Sequence, residues 1–115
     1  MPYCVMRSNL PSEKLSDEFM KEMSAFLAKL LEKDEKRVIV AIHSCQRIMI
    51  AGSLDPAIIM DLDAIDRFGP EKNQKYSDEI FKFLAEKTGL GFDRIKLKFY
   101  DLPAYDVGVY SKATQ

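Results

Sequence analysis

The chain predicts an α/β (α+β) two-layer sandwich: two β-α-β units in tandem, giving a four-stranded sheet with two helices on one face. Three observations carry this. Strand-like runs open and close each unit, beginning at Tyr3 and again at Ala57. Each unit holds one stretch of apolar residues spaced by threes and fours, the mark of an amphipathic helix. Parallel strands joined through a helix cross over right-handed, which lays both helices on the same face. A chain of 115 residues suits a single domain, residues 1–115, with a real core. No further helix remains to cover the second sheet face. Its apolar positions then need another copy of the chain, so an oligomer is expected.

The elements follow in order. Tyr3 to Ser8 reads as the first strand, and Asn9-Leu10-Pro11-Ser12 as a turn. Ser12 before Glu13 is the expected N-cap of the first helix. Leu15, Phe19, Met23, Phe26, Leu27, Leu30 and Leu31 form its buried stripe, and the polar run Glu32 to Arg37 ends it. Val38 to Ile42 is a continuous apolar run, expected as a strand buried on both faces. His43 to Arg47 turn the chain, Ile48 to Ala51 is a short strand, and Gly52 to Pro56 is a loop. Ala57 to Leu62 reads as the next strand. Pro70 sits near the first turn of the second helix, Tyr76, Ile80, Phe83, Leu84 and Lys87 follow helical spacing, and Gly89 suits its C-terminal cap. Ile95 to Tyr100 alternates as a half-buried strand should.

Composition removes several classes of function. Seventeen Lys and Arg against eighteen Asp and Glu leave a net charge of −1, so no overall field argues for nucleic acid or an acidic membrane. No apolar stretch is long enough to insert in a membrane and the start is no signal peptide, which points to the cytosol. Cys4 and Cys45 lack metal or redox spacing and are expected as buried free thiols. His43, the only histidine, is expected at a strand end rather than in a metal site, and no metal or cofactor is implied.

Chemistry concentrates at the N-terminus. A methionine before proline is usually trimmed, which would leave Pro2 as a free secondary amine. An α-amino group ordinarily titrates at about 7.7–8.0. Burial or a nearby cation disfavours its charged form and brings it toward the range of a general base.

The residues Met1-Pro2, Asn9-x-Pro11, Lys33, Gly52-Ser53-x-Asp55-Pro56, Ile65, Gly69, Asn73, Tyr76-Ser77, Leu84-Ala85-Glu86, Asp93-Arg94, Tyr100-Asp101 and Val107-Gly108 carry a resemblance along the whole chain. In this order and spacing the chain resembles the macrophage migration inhibitory factor and D-dopachrome tautomerase family. The resemblance implies a homotrimer with pockets at subunit boundaries. It also implies a cofactor-free keto–enol tautomerase, an isomerase acting on small aromatic or anionic keto or enol substrates such as phenylpyruvate or dopachrome analogues. Pro2 would be the catalytic base, Lys33 would meet a substrate oxygen and depress the proline pKa, and the backbone of Ile65 would contact the substrate. A cell-surface receptor is the further partner the resemblance implies, with export from the cytoplasm by a route that needs no signal peptide.

The chain departs from the family at the pocket. Ala64-Ile65-Asp66 stands for Ser-Ile-Gly, and Glu32-Lys33-Asp34 for Gly-Lys-Pro, so two carboxylates are expected to flank Lys33. Lys96 and Lys98 replace a tyrosine and an asparagine that line the neighbouring subunit's side of the pocket, and period two puts both on one face. Val109 replaces a tryptophan, and Ala113-Thr114-Gln115 the usual ending. These changes favour weak or altered activity on aromatic substrates. The alternative is a catalytically weak or inactive, cytokine-like trimeric binding protein. Ala57 and Met60 stand where the family's Cys-x-x-Cys would be, and Ser12 and Cys45 where its chemokine-mimicking Arg and Asp would be, which argues against both of those properties.

Overall fold

The computed structural model describes residues 1–111 of the chain. The departure expected at Ala113-Thr114-Gln115 lies outside the described residues. Six elements run in the predicted order: β1 (Tyr3–Ser8), α1 (Asp17–Leu30), β2 (Ile39–His43), β3 (Ile58–Ala64), α2 (Pro70–Thr88) and β4 (Ile95–Asp101). The strands form one mixed sheet in the order β2-β1-β3-β4. β1 pairs parallel with β2, and β3 parallel with β4; the two units meet where β1 and β3 run antiparallel.

Register decides which side chains enter the core. Met6 stands opposite Met60 and Cys4 opposite Leu62. Strict alternation then buries Ile58, Met60, Leu62 and Ala64 on the helix face of β3. Met23 and Leu27 of α1 and Ile80 and Leu84 of α2 close over them, all fully buried. Phe26 and Phe83 stack between the helices, centroids 4.3 Å apart. The Cys4 thiol lies in this layer. Burial, then the carboxylates of Asp61 and Asp63, push it up to about 12. Buried Ser8 is satisfied: its hydroxyl donates to the Ala57 carbonyl at 2.7 Å and accepts from the Leu10 amide at 3.1 Å.

Several local expectations change. The N-cap of α1 is Ser16, whose hydroxyl accepts from the Phe19 amide at 3.3 Å, rather than Ser12. Ser12 instead starts a 3₁₀ turn, Ser12–Lys14, after Pro11, which delays the helix by one turn. Ile48 to Ala51 adds no strand to the sheet; Ile50 bridges only to Ser53, because Ala51 and Gly52 both take positive φ and reverse the chain at once. Arg94 holds this loop, donating to the carbonyls of Ile50, Ser53, Asp55 and Pro56 at 2.7–3.2 Å. Asn9 grips its far end through Leu54, Asp55 and Ala57. β2 is an edge strand. Only its helix face is packed, and Ile39 is 36% exposed. Cys45 is exposed, not buried, in the turn after β2.

The sheet face away from the helices is open in the single chain. Asp61 lies at its centre, with Arg7 at 3.5 Å on one side and Lys98 at 3.8 Å on the other. Met49, Leu54, Tyr105 and Tyr110 are also largely exposed. Among the described residues, no helix is long and apolar enough to cross a membrane.

Candidate active site

Pro2 enters the fold fully buried, immediately before β1. Its carbonyl accepts from the Ile39 amide at 3.0 Å, which ties the chain's start to the first residue of β2. Met1 precedes it in this chain, so the amine stands on Met1 and the proline nitrogen lies within a peptide bond.

The end of α1 positions Lys33. Glu32 has a φ of 54°. Its amide bonds the Lys29 carbonyl at 3.3 Å, and the Lys33 amide bonds the Ala28 carbonyl at 2.9 Å. This is a Schellman motif, in which the left-handed residue that follows the cap is usually glycine. Lys33 is therefore the first residue clear of the helix and points its backbone into a fixed turn. Asp34 is committed elsewhere: its carboxylate accepts from the Lys36 amide at 3.0 Å, capping the turn Glu35–Arg37.

The end of β3 positions Ile65. The Ala64 carbonyl accepts from the Leu102 amide at 2.9 Å, and Asp66, with a φ of 53°, turns the chain away. Arg67 then folds back over the end of α1, donating through Nε to the Leu31 carbonyl at 2.9 Å. The two turns on either side of the site are thus held by one guanidinium.

Between them lies a cavity of about 560 Å³, lined by Met1, Lys33, Lys36, Arg37, Ile39 and Ile65, with Ala104, Val107 and Val109 as its outer wall. That volume falls within the usual range for small-molecule sites. Its electrostatics are one-sided. Burial lowers the Met1 amine from its ordinary 8.0, and Lys33, Arg37 and Arg67 lower it further. Lys33 is itself lowered from 10.5, first by burial and then by Arg67 and Arg37. The carboxylate that opposes this is Asp66, not the expected pair of Glu32 and Asp34. Such a pocket disfavours protonation of an amine at its floor and favours an anion placed above it.

Of the residues singled out from sequence, Lys33, Ile65 and Val109 line this cavity, whereas Pro2, next to Met1 in the chain, is fully buried and does not line it. Lys96 and Lys98 do not line it in the single chain. They lie exposed on β4, opposite Ile59 and Asp61, on the open face of the sheet. Sequence reasoning missed Lys36, Arg37 and Arg67 as members of the cation group. Parallel pairing of Tyr3 with Ile39 brings Lys36 and Arg37 of the 3₁₀ turn beside the N-terminus, and antiparallel pairing of Tyr3 with Asp63 brings the end of β3 and Arg67 there, which no local spacing announces. Among the described residues, no three His, Cys, Asp or Glu side chains are placed to hold a metal ion.

Comparison with known proteins places this geometry. The family model for macrophage migration inhibitory factor matches residues 1–114. A macrophage migration inhibitory factor homolog of Trichuris trichiura is 35% identical over 108 residues, covering 94% of this chain and 95% of that protein. A D-dopachrome decarboxylase of Gallus gallus is 32% identical over 109 residues, covering 94% and 92%. Among solved structures, the macrophage migration inhibitory factor of Trichinella spiralis superposes with a TM-score of 0.89 at 27% identity, covering 93% of this chain and 95% of that one. The family match spans both β-α-β units and every residue of the cavity, and the chain belongs to the macrophage migration inhibitory factor family.

Proposed function

We propose that this chain, as a single domain over residues 1–115, is a keto–enol tautomerase whose base is the nitrogen of Pro2 once Met1 is removed. The observation that carries the reading is the cation group around the N-terminus. Lys33, Arg37 and Arg67 act together on the amine there, at the floor of a cavity with apolar walls. With Met1 gone, the ring nitrogen of Pro2 becomes the terminal amine one residue further in, beside the same cations. It takes a proton from the carbon next to a carbonyl and returns it to the other end of the enol. Lys33 faces the oxygen on which negative charge develops, so its contribution grows from ground state to transition state. The backbone at Ile65 sets the depth of the ring or chain that carries the carbonyl. The substrates are small aromatic or anionic keto and enol acids, and the relatives named for D-dopachrome support this class.

In this reading the working molecule is a homotrimer. The open sheet face and exposed Tyr105, Tyr110, Met49 and Leu54 are the surfaces that copies of the chain would cover. Lys96 and Lys98 would then reach the cavity from a neighbour and bias it toward anionic substrates. A second reading, a cytokine-like trimeric binding protein with weak catalysis, is favoured by the departures at the pocket: Val109 lines the cavity where the family resemblance places a tryptophan, and Ala64 and Asp66 flank Ile65. A cell-surface receptor would be the partner in that case.

The test is a tautomerase assay with phenylpyruvate and a dopachrome analogue, on protein confirmed by mass to begin at Pro2. Pro2→Gly should lose at least about 10²-fold in kcat/KM, the lower range for a general base. Lys33→Ala should lose about 10²-fold, the lower range for removing one oxyanion donor. Equal rates in wild type and Pro2→Gly would exclude Pro2 as the base, and a wild-type rate no higher than the uncatalysed one would exclude the enzyme reading and leave the binding protein.

A further inference from the structure

A second concave site lies on the helix layer, outside the cavity at the N-terminus. It is a groove of about 720 Å³ where the end of α1 meets the first turns of α2. Phe26, Leu30 and Tyr76 give it an apolar lining. The two rings are held in place, Phe26 stacked on Phe83 at 4.3 Å and Tyr76 edge-on to Phe68 at 6.0 Å. Lys29, Arg67, Lys72 and Lys75 line the same groove against Glu32 and Glu79. Four cations against two carboxylates reverse the sign of a chain whose net charge is −1.

Two details set these cations apart from an ordinary solvated surface. Lys72 stands in the first turn of α2, directly after Pro70 and Glu71, where the helix dipole opposes a positive side chain. The helix gains nothing from a lysine there. Arg67 is braced, with Nε on the Leu31 carbonyl at 2.9 Å and Nη1 on the Asp66 carbonyl at 3.1 Å, so its plane is fixed before any ligand arrives. Among the described residues none of the four cations forms an ion pair. A braced guanidinium beside a rigid aromatic wall binds a charged ring with little ordering cost.

We propose that this groove is a binding site for a small aromatic anion, its ring against Phe26 and Tyr76 and its charged group between Arg67 and Lys72. Neither Pro2 nor Lys33 takes part, so the site stands whether or not the chain is a tautomerase. The volume falls within the usual range for small-molecule sites.

The experiment is an amide NMR titration of the full chain with phenyl phosphate at low salt. Saturable shifts should appear at residues 26–32 and 67–79, with a Kd below about 1 mM. Inorganic phosphate and benzyl alcohol, each carrying half of the chemistry, should bind at least about tenfold more weakly. Lys72→Glu, an exposed change that should keep or raise the thermal midpoint because an acidic side chain suits the helix start, should weaken phenyl phosphate by at least about tenfold, and Arg67→Gln should do the same. Lys33→Ala should leave these shifts and this Kd unchanged. Shifts confined to the N-terminal cavity, a Lys72→Glu protein that binds as before, or inorganic phosphate binding as well as phenyl phosphate would each overturn the proposal.

Discussion

Two residues beside the cavity carry backbone conformations that their side chains resist. Glu32 and Asp66 sit at φ of 54° and 53°, positions where the family resemblance places glycine. The left-handed region costs an L-residue roughly 1–2 kcal/mol, offset in part by the extra freedom glycine has when unfolded. Glu32→Gly and Asp66→Gly should therefore each stabilise the chain by up to about 1 kcal/mol, read as a higher urea midpoint with an unchanged slope. A lower midpoint for either would show that its side chain contributes more than its backbone costs. The two differ in what else they do. Asp66 opposes the depression of the Lys33 pKa, so its removal should lower that pKa further, whereas Glu32→Gly changes the turn with no such effect expected.

At the scale of elements, each helix end serves the site. Ser16 starts α1 one turn later than the sequence suggests, and the Schellman turn at its other end delivers Lys33. Ser16→Ala removes the acceptor for the Phe19 amide and should cost about 1 kcal/mol in chemical denaturation. A change within error would mean that the preceding turn Ser12–Lys14 caps the helix unaided. Arg67 joins the two turns beside the cavity and also lines the groove on the helix layer, so its charge bears on both. β2 shows the limit of reading burial from an apolar run. Val40 and Ile42 pack under the helices, but Ile39 and His43 face outward at a sheet edge.

For the whole molecule, the order of elements and the placement of helices on one face were legible because hydrophobic period is a local signal. The stripe from Phe19 to Leu31 and the alternation from Ile95 to Tyr100 each report it. The cation group was not legible. Lys36, Arg37 and Arg67 reach the N-terminus only through strand pairing between distant segments, and Lys33 alone was singled out by resemblance. The same limit explains Cys45 and the segment Ile48 to Ala51, whose apolar character gives no local sign of whether another part of this chain covers them. In the proposed trimer, sedimentation equilibrium should return three times the 13.2 kDa chain mass. A monomer at micromolar concentration would leave the open sheet face unexplained and remove Lys96 and Lys98 from the proposed pocket. The central claim is that burial and the neighbouring cations Lys33, Arg37 and Arg67 hold the N-terminal base neutral. Its most direct test is the pKa of the Pro2 nitrogen, measured by ¹⁵N NMR on protein beginning at Pro2, alongside Lys33→Ala. A value below the ordinary α-amino range of about 7.7–8.0 that rises in the variant is the predicted result, with tautomerase rate increasing with pH through the same value. An ordinary pKa, unmoved by loss of Lys33, would contradict it.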